Sequence, residues 1–138
     1  MLIKSLLLVD DDEDDHELFK LALLEYEYPV AFEGTGDVVQ ALKRLDDSTI
    51  TPDLIFLDIN MPALNGFEFL RQLKGKKHLK DIPVIMYSTS DSQFDKHKAI
   101  EAGAAAYLHK PSTLRELGRL LRHVLNALQG DTMGGTIF

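Results

Sequence analysis

The sequence contains no cysteine and no tryptophan. Without cysteine there are no disulfides, thiolate metal sites or thiol nucleophiles, a usage that suits a reducing cytoplasm. Long apolar runs are missing too. The longest fall far short of the roughly 20 residues that a membrane span requires, and Met1-Leu2-Ile3-Lys4 enters a strand-like segment with no room for a signal peptide. Basic residues are in the minority: 15 Lys and Arg against 22 Asp and Glu give a net charge of −7. That balance argues against direct binding to a phosphate backbone. The five histidines show no ligand spacing on one element, so no histidine metal site is indicated. What remains is one domain's worth of chain, 138 residues at 45% hydrophobic, enough for a single core.

Short apolar runs alternate with helical patterns along the chain. The strand candidates are Ser5–Val9, Val30–Glu33, Asp53–Leu57, Pro83–Tyr87 and Ala105–Leu108. Leu6-Leu7-Leu8-Val9 and Leu54-Ile55-Phe56-Leu57 are apolar without alternation, as in strands buried on both faces. A helix near 14–26 offers Leu18, Phe19, Ala22 and Leu23, and Asp37 is placed to cap the next one. Gly75 and Gly103 stand where the third and fourth helices should end. The last helix carries a stripe through Leu114, Leu117, Leu121, Val124 and Leu128. Its Arg115, Arg119 and Arg122 read as a solvated face rather than a partner site. The alternation implies an α/β fold, a doubly wound (βα)₅ parallel sheet with helices on both faces. Residues 1–129 form that domain, and 130–138 read as a short flexible tail.

In such sheets ligands bind beyond the carboxyl ends of the strands. Asp10-Asp11-Asp12 follow the first strand, Asp58 the third, Ser88-Thr89-Ser90 the fourth and His109-Lys110-Pro111 the fifth. The second, followed by Gly34-Thr35-Gly36, contributes nothing chemical. Carboxylates gathered at one edge repel and desolvate one another. A hard divalent cation offsets this, and oxygen-only donors point to Mg²⁺ (or Mn²⁺). Such a site suits phosphoryl transfer, with one carboxylate as nucleophile and Lys110 and Ser88 meeting phosphate oxygens.

Four segments together resemble response-regulator receiver domains of two-component signalling. They are Leu7-Leu8-Val9-Asp10-Asp11, Asp53 to Pro62 continuing to Asn65-Gly66, Pro83 to Ser88, and Ala102 to Pro111. The resemblance spans residues 5–128, to single-domain receivers of the chemotaxis and phytochrome-associated types. It implies a flavodoxin-like fold with strand order 2-1-3-4-5, and a signalling domain rather than an enzyme. Asp58 would be the phosphoacceptor. Asp11, Asp58 and the Asn60 carbonyl would bind the metal directly, and Asp10 through water. Lys110 would pair with the phosphoryl group, and Ser88 and Tyr107 would report its arrival, Tyr107 turning inward from solvent. Pro111 would follow a cis bond. The third acid, Asp12, leaves open which two of the three serve the metal. The strand-end position favours Asp10 and Asp11, with Asp12 as a helix cap. Implied partners are a sensor histidine kinase or phosphotransfer protein, and a downstream target or second copy meeting the fourth helix, fifth strand and fifth helix. Neither nucleic acid nor membrane is among them, and the expected location is the cytoplasm.

Rival chemistries lack their residues. A haloacid-dehalogenase-like phosphatase would want an acid two positions after the nucleophile, where Asn60 stands, and a cap insertion. A Toprim-like nuclease would want a second acid near Asp58 and a basic surface. A dinucleotide binder would want a Gly-rich turn after the first strand.

Overall fold

The computed structural model describes residues 2–130. Five strands and five helices alternate: β1 Ser5–Val9, α1 Glu13–Leu24, β2 Ala31–Thr35, α2 Val38–Asp46, β3 Leu54–Leu57, α3 Gly66–Lys74, β4 Val84–Ser88, α4 Gln93–Glu101, β5 Ala106–His109 and α5 Leu114–Gln129. The strands pair in parallel in the order β2-β1-β3-β4-β5, so the expected doubly wound sheet forms.

The period of two along a strand divides the core into halves. Leu7, Val9, Ile55, Leu57, Val84 and Met86 face α2, α3 and α4, meeting Leu45, Phe69, Leu70 and Ala99. Leu6, Leu8, Phe56, Ile85 and Tyr87 face α1 and α5, meeting Phe19, Ala22, Leu121 and Val124. Each helix opens on a side-chain oxygen that accepts from the backbone of its first turn: Asp12, Asp37, Asn65, Ser92 and Thr113. Gly75 caps α3, and Gly103, at φ +103°, follows the cap of α4 in the left-handed region.

Several expectations change: β3 opens at Leu54 rather than Asp53, and β4 and β5 each lie one residue later than expected, at Val84–Ser88 and Ala106–His109. The second strand runs on to Thr35, because Val9 still pairs with Thr35 at the sheet edge. Gly34 sits within that strand with the His16 imbidazole ring over it: a Cβ there would lie 2.8 Å from Nδ1. The Lys110–Pro111 bond, expected cis, is trans, and no cis peptide occurs among the described residues. Trans is favoured by about 0.5–1 kcal/mol even before proline. Lys110 is already anchored to the sheet edge by its N–H, which donates to the Ser88 carbonyl at 2.8 Å. Of the tail expected at 130–138, Gly130 caps α5 and the rest lies outside the described residues.

Candidate functional site

At the carboxyl edge of the sheet the chain turns sharply after β1 and β3, and backbone bonds fix both acids there. Asp10 N–H donates to the Thr35 carbonyl and Asp58 N–H to the Val9 carbonyl, both at 3.0 Å. Asp10 is fully buried and Asp58 nearly so, while Asp11 is exposed. Each carboxylate of Asp10, Asp11 and Asp58 offers an oxygen within 4.8 Å of the others. Asp12 is not part of this group and accepts from Asp14 N–H as the cap of α1.

Lys110 reaches across from the end of β5. Its Nζ lies 2.7 Å from Asp15 Oδ2, 2.9 Å from Asp10 Oδ2 and 3.5 Å from Asp58 Oδ2. The ammonium also stands 5.5 Å from the centre of the Tyr87 ring. Desolvation works against the charge of Lys110, but bonds to Asp15 and Asp10 outweigh it and raise its pKa. Burial pushes Asp10 up to about 7, helped by the neighbouring Asp15 carboxyl and opposed by the Asp12 N–H and Lys110. Burial also raises Asp58, with Lys110 pulling the other way.

The donor set fits a hard divalent cation. It is all oxygen, and one member is short of partners: Asp10 Oδ2 is buried, and the ammonium it pairs with at 2.9 Å is shared with Asp15 and Asp58. Asp10 Oδ1 accepts from Asp12 N–H at 2.9 Å, and Asp58 Oδ1 accepts from Asn60 N–H at 3.3 Å. Gly66 seats the start of α3 directly against the Asp58 peptide, where a Cβ would collide with the Asp58 carbonyl oxygen.

Ser88 is buried at the end of β4, its Oγ accepting from Ser90 N–H at 3.0 Å. Tyr107 is not in solvent, as the sequence reading had it. Its ring belongs to the core beneath α4 and its hydroxyl donates to the Ser90 carbonyl at 2.8 Å. That bond satisfies the phenol inside, so the ring has no need of water.

Asp15 and the end of β2 escaped the sequence reading. Asp15 is the nearest partner of Lys110. A signal for it existed: Asp15 lies four residues before Phe19 and seven before Ala22, so an acid stands on the buried stripe of α1. Gly36 brings β2 into the site as well, since a Cβ there would lie 3.3 Å from Asp11 Cα.

Comparison with known proteins shows the family and the fold. The response regulator receiver domain family matches residues 6–122. The alkaline phosphatase synthesis transcriptional regulatory protein PhoP of Bacillus subtilis is 35% identical over 97% of this chain, which spans 57% of that protein. The transcriptional regulatory protein CpxR of Escherichia coli K12 is 40% identical over 89% of this chain, which spans 50% of it. The chain thus spans about half the length of these relatives. Among solved structures, the phosphorylated cyanobacterial phytochrome response regulator RcpA superposes with a TM-score of 0.85 at 28% identity, covering 96% of this chain and 99% of that one. The Mn²⁺-bound form of response regulator Rcp1 gives 0.81 at 27% identity, covering 94% and 96%.

Proposed function

The chain belongs to the response regulator receiver domain family, and on that premise we propose that it accepts a phosphoryl group on Asp58 from a histidine kinase or a phosphotransfer protein. The observation that carries this reading is the convergence of Asp10, Asp11, Asp58 and Lys110 at one sheet edge. In the transfer, an Asp58 carboxylate oxygen bonds to phosphorus while the bond from phosphorus to the donor imidazole nitrogen breaks, its electron pair staying on that nitrogen. Asp11, Asp58 and the Asn60 carbonyl would hold Mg²⁺ or Mn²⁺ directly and Asp10 would do so through water, and the metal would supply charge that neutralises the transferred oxygens. The Mn²⁺-bound form of Rcp1 supports a divalent cation as part of this reading. Lys110 exchanges part of its hold on Asp15 for a phosphoryl oxygen. The likeness to phytochrome response regulators makes a phytochrome-type kinase the first donor to test. A cytoplasmic setting fits an acidic chain with no membrane-length helix among its described residues.

The signal leaves through Ser90. Its N–H is held by Ser88 Oγ and its carbonyl by the Tyr107 hydroxyl. Its own Oγ bonds Asp95 in the first turn of α4 at 2.9 Å. When the Ser88 hydroxyl turns to a phosphoryl oxygen, Ser90 loses an anchor, and both Tyr107 and the start of α4 feel it. The surface formed by α4, β5 and α5 is then the part a target protein or second copy reads. Hydrogen exchange with beryllofluoride and Mg²⁺ tests this. Exchange should change across residues 88–115 in the parent and not in Asp58→Asn, and Ser88→Ala should lose most of the change. A parent that does not respond, or an Asp58→Asn that does, defeats the reading.

A further inference from the structure

Away from the acidic edge lies a groove whose lining carries three arginines against one acid, Glu25. It runs between α1 and α5, about 470 Å³ in volume, lined by Glu25, Leu114, Arg115, Gly118, Arg119 and Arg122. All three arginines are exposed, and none forms an ion pair or a side-chain hydrogen bond among the described residues. That is unusual economy in a chain with 22 acids and 15 basic residues. Gly118 is the second observation. It stands in the interior of the longest helix, where glycine weakens the helix relative to alanine. No packing requires it, since a Cβ there would meet nothing within 4 Å. The glycine instead leaves a notch on the outer surface, beside Leu114, which is 38% exposed.

Residues 115, 118, 119 and 122 follow the i, i+3, i+4, i+7 spacing of one helix face. The arginines therefore form a row about 10 Å long beside the notch. We propose that this groove docks an acidic helical segment of a partner protein, its carboxylates at matching spacing on Arg115, Arg119 and Arg122 and an apolar side chain or the helix backbone against Gly118. Charge complementarity selects the occupant. Planar guanidinium groups pair bidentately with carboxylates, and the missing Cβ allows close approach. A nucleic acid extends well past so short a row and meets a protein of net charge −7. A lone small anion has no need of an apolar notch. This surface lies on the α1–α5 side of the sheet and is separate from the phosphoacceptor and from the route through Ser90 and Tyr107.

The test uses the full 138-residue chain and a labelled synthetic helical peptide with glutamates at i, i+4 and i+7 and a leucine between them. Fluorescence anisotropy at low ionic strength should report binding that weakens with added salt. Arg119→Glu combined with Arg122→Glu should reduce affinity about tenfold or more, and Gly118→Gln, which fills the notch while favouring the helix, should also weaken it. Both variants should take up phosphate from acetyl phosphate as the parent does, which verifies that they are folded. The proposal is overturned if the peptide binds no better than its lysine-substituted counterpart, or if the variants bind it like the parent. It is also overturned if inorganic phosphate displaces the peptide at equal concentration, or if a DNA oligonucleotide binds the groove more tightly.

Discussion

Asp10 carries its carboxylate where burial disfavours the charge. It is fully buried, its Oδ2 shares one ammonium with two other acids, and burial lifts its pKa to about 7 from 3.8. The sign of the consequence follows from proton counting. Between about pH 4 and pH 7 the folded form keeps a proton on Asp10 that the unfolded chain has released, so raising pH through this window works against folding. The penalty is absent at the low end and complete above about pH 7, on the order of a few kcal/mol by the size of the shift. The metal-free protein should therefore melt at a lower temperature at about pH 7.5 than at about pH 5.5. Asp10→Asn should flatten that dependence. Mg²⁺ should restore the stability, by roughly 2.7 kcal/mol at 100 times its dissociation constant. Asp11→Ala should blunt the Mg²⁺ response and Asp12→Ala should leave it intact, because Asp12 is spent on the cap of α1. Scanning calorimetry at constant ionic strength reads all of this, and a parent with no Mg²⁺ shift would contradict it.

At the scale of elements, two glycines separate a helix start that shapes the site from a helix interior that does not. Gly66 begins α3 against the Asp58 carbonyl and within 2.8 Å, at Cβ, of Ile59 Cα. Backbone atoms on both sides cannot yield as a flexible side chain would. Gly66→Ala should destabilise by roughly 1–3 kcal/mol, as overpacking does, and should impair labelling of Asp58 by displacing its peptide. Gly118→Ala meets nothing and should stabilise α5 by about 0.5–1 kcal/mol. Equal melting temperatures for the two variants would refute this contrast. Element boundaries were legible in the sequence where a strand is buried on both faces. β1 falls at Ser5–Val9 as its apolar run implies. β2 was not, since an edge strand of Ala-Phe-Glu-Gly-Thr carries no continuous apolar signal and is defined by pairing with β1.

Across the whole molecule, the parallel sheet does the gathering. Residues at positions 10, 58, 88 and 110 are far apart in sequence and reach one edge because each ends or directly follows a strand of one sheet. That rule made Asp10, Asp11, Asp58, Ser88 and Lys110 readable from sequence. Asp15 and Ser90 were not, because neither ends a strand and their roles depend on which neighbour's side chain reaches them: Lys110 in one case, Ser88 and Tyr107 in the other. The inward seat of Tyr107 was hidden for the same reason, resting on one bond to the Ser90 carbonyl. In the proposed function these features serve a single event, the arrival of a phosphoryl group on Asp58, and one measurement reaches it directly. The intact protein is incubated with acetyl phosphate and Mg²⁺, and its mass is followed beside that of Asp58→Asn. The parent should gain the mass of one phosphoryl group only when Mg²⁺ is present, and the variant should gain none. A variant labelled as fully as the parent would show that the phosphoryl group goes elsewhere.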